Sequence, residues 1–142
     1  MQKVKPYLPE ILLFVSLLLL FTFHISSAFS FDFDFGRDLL AMNNILHGKL
    51  TLLGPKLSFG GYYVAPYYFY FFSPFLLLSH FLPTGVLLAN AIVFALSLTI
   101  AFSLIERHTN SLFALLVTLW VAVTPYILFS VQHILPRLTI IY

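Results

Sequence analysis

The chain has no cysteine, which excludes disulfides, thiolate catalysis and cysteine-held metals. Charge is almost as scarce: Asp, Glu, Lys and Arg make up 8% of the residues and hydrophobic residues 61%, against roughly 25% charged in an ordinary soluble domain. So few charges cannot cover the surface of a soluble fold, and lipid is the expected solvent for most of the chain. A net charge of +2, with no basic cluster larger than two lysines, gives nucleic acid nothing to bind. There is no P-loop, dinucleotide fingerprint or serine nucleophile elbow. His47, His80, His108 and His133 show no metal-ligand spacing. No cofactor is evident from these residues, and a divalent-metal requirement stays open.

What the chain does have is long uncharged runs. Ile11 to Phe31 carries no charge and suits one membrane span of about 20 residues. Lys3, Lys5 and the small residues Ser26, Ser27 and Ala28 give the same segment the outline of a signal peptide. Either reading leaves the amino terminus in the cytoplasm. From Leu57 to Ile105 there is again no Asp, Glu, Lys or Arg, which is too long for one helix, and "FLPTG" (Phe81 to Gly85) divides it. The polar break "ERHTN" (Glu106 to Asn110) opens a last apolar segment. The expectation is an all-α, polytopic transmembrane helix bundle with about four spans, near 11–31, 64–82, 86–105 and 111–131. Pro66 and Pro74 predict a late start and a kink in the second span. The aromatic run "GGYYVAPYYFYFF" reads as an interfacial belt or as the wall of a sugar or lipid groove. With the amino terminus inside, Arg37, Lys49, Lys56 and Arg107 fall outside, which the positive-inside rule does not support.

Between the first two spans lies a polar loop, 32–63, and five of the chain's charges gather between Phe31 and Leu50. Leu39, Met42 and Leu46 recur at helical spacing, Asp38 suits a first turn, and Gly48 can close the end. Gly36 to His47 is therefore expected to be an amphipathic helix lying in the membrane interface of the first extracytoplasmic loop. Asp32, Asp34 and Asp38 are the acids available there. A helix through Asp34 and Asp38 puts both on one face, whereas an extended strand puts Asp32 and Asp34 opposite Phe31, Phe33 and Phe35. A partly dry carboxylate is a better proton acceptor, as a general base must be; equally, these acids serve to solubilise the loop and cap its helix. Arg37, Lys49 and Lys56 suit a phosphate, the aspartates or lipid headgroups. His24 sits at membrane depth in the first span.

The succession Phe33-Asp34-Phe35-Gly36, then Gly48-Lys49-Leu50, Gly54-Pro55 and Pro66-Tyr67-Tyr68 resembles the amino-terminal part of membrane glycosyltransferases of the GT-C class. The pattern is similar to that of the dolichyl-phosphate-mannose protein mannosyltransferases and the aminoarabinose transferases of lipid A. That resemblance implies transfer of a sugar from a polyprenyl-phosphate donor to a hydroxyl of a protein, lipid or glycan acceptor, on the extracytoplasmic face. It implies Asp34 as general base and Arg37, Asp38 and Lys56 as substrate contacts. Phe35 stands where many relatives carry a polar or acidic residue. The resemblance further implies a multi-pass protein of a prokaryotic cell membrane, with residues 1–142 as the amino-terminal part of a longer enzyme. A small polytopic protein without chemistry, such as a transporter piece, an assembly subunit or a lipid binder, is the alternative expectation.

Overall fold

The computed structural model describes residues 7–23, 33–54, 56, 62, 63 and 65–132. Among them the fold is helical: α1 (Leu8–Thr22), α2 (Phe33–Leu46), α3 (Tyr67–Leu78), α4 (Pro83–His108), α5 (Ser111–Ala122) and α6 (Pro125–Gln132). An isolated antiparallel bridge pairs Lys56 with Tyr63.

The helix α4 is the spine. Proline at its first position lacks only an N–H that would be unpaired there anyway, and its fixed φ favours the start. Over 26 residues α4 reaches about 39 Å. Among the described residues it is the one helix long and apolar enough to cross a membrane. Its first turns bury Val86, Leu87 and Ala89 against Phe35 and Met42 of α2 and Phe69, Phe72 and Leu76 of α3. Its remainder buries Ala91, Ala95 and Phe102 against Leu13, Leu17 and Phe21 of α1, Ala114 and Ala122 of α5, and Val131 of α6. Asn90 lies between the two clusters and donates from Nδ2 to the carbonyls of Ser130 and Val131, 3.1 Å each, which ties α6 to α4.

Where α4 and α5 are buried, part of each face holds small residues, packed beside larger ones such as Leu17, Phe21 and Phe102. Ala91, Ala95 and Thr99 line one face of α4, and Ala114, Thr118 and Ala122 line one face of α5, each at four-residue spacing. Large apolar residues point outward at the same spacing: Leu96, Ile100 and Leu104 on α4, and Leu112, Leu116 and Trp120 on α5. Small residues let helix backbones approach closely, the usual packing when lipid surrounds a bundle.

The expected second span, 64–82, is the largest difference. The helix there, α3, starts late as Pro66 predicts, but it has 12 residues, about 18 Å against a hydrocarbon core of about 30 Å. The segment around α2 holds it at both ends. Near its start the Tyr70 hydroxyl donates to the Thr51 carbonyl at 2.9 Å and accepts from the Thr51 N–H at 3.2 Å. Beyond its end Phe81 stacks on His47, with ring centroids 6.2 Å apart. Pro74 sits inside α3 and leaves the Tyr70 carbonyl without its helical donor. The Ser73 hydroxyl supplies one at 3.2 Å.

The turn after α3 also departs from expectation. Gly85, in the dividing "FLPTG", lies in the first turn of α4, and His80 and Phe81 take the positive φ values, 54° and 63°. Their N–H groups close α3 by bonding to the carbonyls of Leu77 and Leu76 at 3.1 and 2.8 Å. Gly85 is required for space, because a methyl group there would run into the Ser79 side chain and come 2.6 Å from the Phe75 carbonyl. The "ERHTN" break is narrower than expected: α4 runs on through His108, and Asn110 caps α5 by accepting from the Phe113 N–H at 2.8 Å. The apolar segment that follows breaks at Val123 and Thr124, and Pro125 begins α6.

Candidate functional site

The candidate site is built on α2. Among the described residues this helix runs from Phe33, so it includes Phe33 to Phe35 ahead of the expected start at Gly36, and Phe35 packs in the cluster with Met42 and the first turns of α4. The extended arrangement of Phe33, Asp34 and Phe35 is thereby excluded. Gly48 closes the helix as expected: it adopts φ +80°, its N–H bonds to the Ile45 carbonyl, and the Lys49 N–H to that of Asn44, both at 2.9 Å. The apolar face is not open to a membrane interface; α3 and α4 cover it.

With the helix starting early, Asp34 takes the first-turn position expected of Asp38. One turn on, Asp38 faces inward between Phe35 and Met42 and is 0% exposed. Arg37 joins the two acids. Its Nη1 donates to Asp34 Oδ1 at 3.0 Å. Its Nε and Nη2 both donate to Asp38 Oδ1, at 3.1 and 2.9 Å. The Asp34 and Arg37 side chains are each 33% exposed, so Asp34 presents a carboxylate oriented by a cation and reachable from solvent. Exposed at this level, the Asp34–Arg37 pair adds little stability, about 0–1 kcal/mol.

Asp38 behaves differently. Burial pushes its carboxyl above the ordinary 3.8; the hydrogen bond and charge of Arg37 oppose this less strongly, and the nearby Asp34 charge adds to it. Just above pH 3.8 the folded chain therefore keeps a proton that the unfolded chain releases. The stability from this group is complete below 3.8 and is lost as pH rises through the folded value. Asp38→Asn cannot titrate, so its stability relative to the native chain is expected to rise with pH across that window. Thermal melts in detergent at pH 4 and pH 7 check this; identical slopes for both proteins would contradict it.

Arg37 brings Asp34 and Asp38 together, and Lys56 stands apart from them. The Lys56 side chain is exposed, and no ion pair joins it to either acid among the described residues. Asp32 and His24 lie outside the described residues. Tyr68 of α3 is a residue that the sequence does not single out. Among the described residues its buried hydroxyl has no hydrogen-bond partner, and neither has Asp38 Oδ2. One tyrosine among several in an aromatic run carries no signal of that kind. No group of three or more His, Asp or Glu gathers among the described residues in a way that would hold a metal ion. No family model, curated protein or solved structure matches the chain.

Proposed function

We propose that the chain is the amino-terminal part of a multi-pass GT-C type glycosyltransferase in a prokaryotic cell membrane, using a polyprenyl-phosphate sugar donor. The observation that carries this reading is the Asp34–Arg37–Asp38 cluster: a half-exposed carboxylate beside a guanidinium, at the end of an apolar bundle with a lipid-like surface. Asp34 takes the proton of the acceptor hydroxyl as that oxygen bonds to the anomeric carbon of the sugar. The bond from that carbon to the phosphate oxygen breaks, and its electron pair leaves with the phosphate. Three of Arg37's five N–H bonds are engaged with the acids. Among the described residues no hydrogen bond engages the other two, and in this reading they meet the charge that grows on the phosphate. Lys56, the weaker phosphate candidate, is joined to neither acid among the described residues. The acceptor is a hydroxyl of a protein, lipid or glycan.

The short α3 supports a modified path through the membrane. Tied at both ends to the α2 segment, α3 stays on the extracytoplasmic side together with the turn into α4. α1, α4 and the α5–α6 segment then cross, and Arg107 joins Lys3 and Lys5 on the cytoplasmic side. Transfer is tested by supplying membranes that contain the whole enzyme with polyprenyl-phosphate-linked radiolabelled sugar and hydroxyl acceptors. Label reaching an acceptor above the level of chain-free membranes is expected; transfer at the chain-free level contradicts the proposal.

A further inference from the structure

Between Asp38 and Glu106 the chain has no acidic residue, yet Lys49 and Lys56 lie in that stretch. Both side chains are exposed, and among the described residues no ion pair engages either, while Arg37 is tied to its two aspartates. The segment between the lysines is apolar and turned outward: Leu50, Leu52 and Leu53 are 75%, 90% and 56% exposed. Its backbone is held by hydroxyl groups. The Tyr70 hydroxyl bonds both the N–H and the carbonyl of Thr51. Thr51 Oγ1 in turn accepts from the Leu53 N–H at 3.1 Å and donates to the Leu53 carbonyl at 2.9 Å. Tyr63 lies across the bridge from Lys56, and it and Tyr62 are exposed.

We infer that the segment from Lys49 to Lys56 docks on the extracytoplasmic leaflet of the bilayer, with its leucines at the edge of the hydrocarbon and its lysines on anionic phospholipid headgroups. This goes beyond sugar transfer and uses only the placement of the segment outside the cytoplasm. In water three outward leucines would form an exposed apolar patch, and at a lipid surface they are buried. Lipid accepts irregular backbone only where its polar groups are already bonded, as those of Thr51 and Leu53 are. Tyrosine rings are at home at headgroup depth. Because α2 and α3 pack on the first turns of α4, the segment sits near one end of the spanning helix. A lysine reaches a phosphate on a flexible stem, and a headgroup with net negative charge offers no ammonium to repel it. The positive-inside rule counts Lys49 and Lys56 against this side; headgroup contact accounts for their presence. Seated among the headgroups, position 52 remains within reach of water-soluble reagents.

The test reads lipid contact from one tryptophan. The chain has a single one, Trp120, so Leu52→Trp combined with Trp120→Phe reports from the loop alone. The chain is placed in nanodiscs of phosphatidylcholine and phosphatidylglycerol at a fixed ratio, with an equal small fraction of one lipid or the other carrying a nitroxide near its glycerol. Blue-shifted emission is expected from position 52, with quenching that corresponds to about fivefold enrichment of phosphatidylglycerol there. Lys49→Gln with Lys56→Gln is expected to make the two lipids quench equally, and Lys49→Arg with Lys56→Arg to keep the preference. Emission as in water, with neither lipid quenching it, overturns the docking and gives the loop to a protein partner. Equal quenching by the two lipids with both lysines present overturns the proposal, as does a preference that survives both glutamines. A preference as large at Trp120 of the native chain overturns it too, since the whole surface would then share it. None of these readings depends on sugar transfer.

Discussion

Asparagine at position 34 is expected to lower sugar transfer by about 10²–10⁴-fold, the usual contribution of a positioned general base. The substitution keeps the shape of the side chain and the oxygen that accepts from Arg37 Nη1. It removes the ability to take a proton. The loss is therefore expected in kcat, with helix content and donor affinity close to native. Substitution of Arg37 by glutamine makes the informative contrast. It leaves the fully buried Asp38 without the partner of its Oδ1 atom, which costs stability, since a buried charge stripped of its partner is destabilising by about 3–5 kcal/mol unless it takes up a proton. Rate assays and thermal melts on both variants separate a chemical role from a structural one. Native transfer rates in Asp34→Asn would remove the assigned base.

Leucine at position 95 is expected to cost about 3 kcal/mol, at the upper end of what overpacking costs. Ala95 is 0% exposed and belongs to the cluster with Leu13, Leu17 and Phe21 of α1. Three more carbons there have nowhere to go without moving α1 off the spine, and such contact is what drives helix association in lipid. The neighbouring residue supplies the control: Leu96 is 51% exposed, and its replacement by alanine is expected to change stability by no more than about 0.5 kcal/mol. Denaturation in mixed detergent micelles measures both. Equal effects at the two positions would contradict the burial of the Ala95 face against α1.

The helical class, the break at Asn110 and the glycine closing α2 were legible because each depends on local chemistry: hydrophobic runs, an asparagine cap, a residue free to take positive φ. The short α3 was less legible. Pro66 marks its start, but its end is set by His80 and Phe81, which do not look like turn residues. Pro125 is plain in the sequence and breaks the last apolar segment, a signal that the length of the run obscures. In the site, the four-residue spacing of Asp34 and Asp38 was readable, with Arg37 between them. The depth of Asp38 was not, because it depends on α3 and α4 closing over a helix face that the sequence presents as half polar. The small-residue faces of α4 and α5 were written in the spacing of Ala91, Ala95 and Thr99, and of Ala114, Thr118 and Ala122.

The central claim is that the Asp34 cluster, α3 and the start of α4 share the extracytoplasmic side of a membrane. A chain without cysteine lets this be read one residue at a time. Single cysteines at Leu52, 90% exposed after α2, at Thr84 in the first turn of α4 and at Thr109 after its end are treated in intact spheroplasts with a membrane-impermeant maleimide. The account predicts labelling at positions 52 and 84 from outside, and at 109 only after permeabilisation. Labelling at 52 and 109 with protection at 84 would make α3 a span and contradict it.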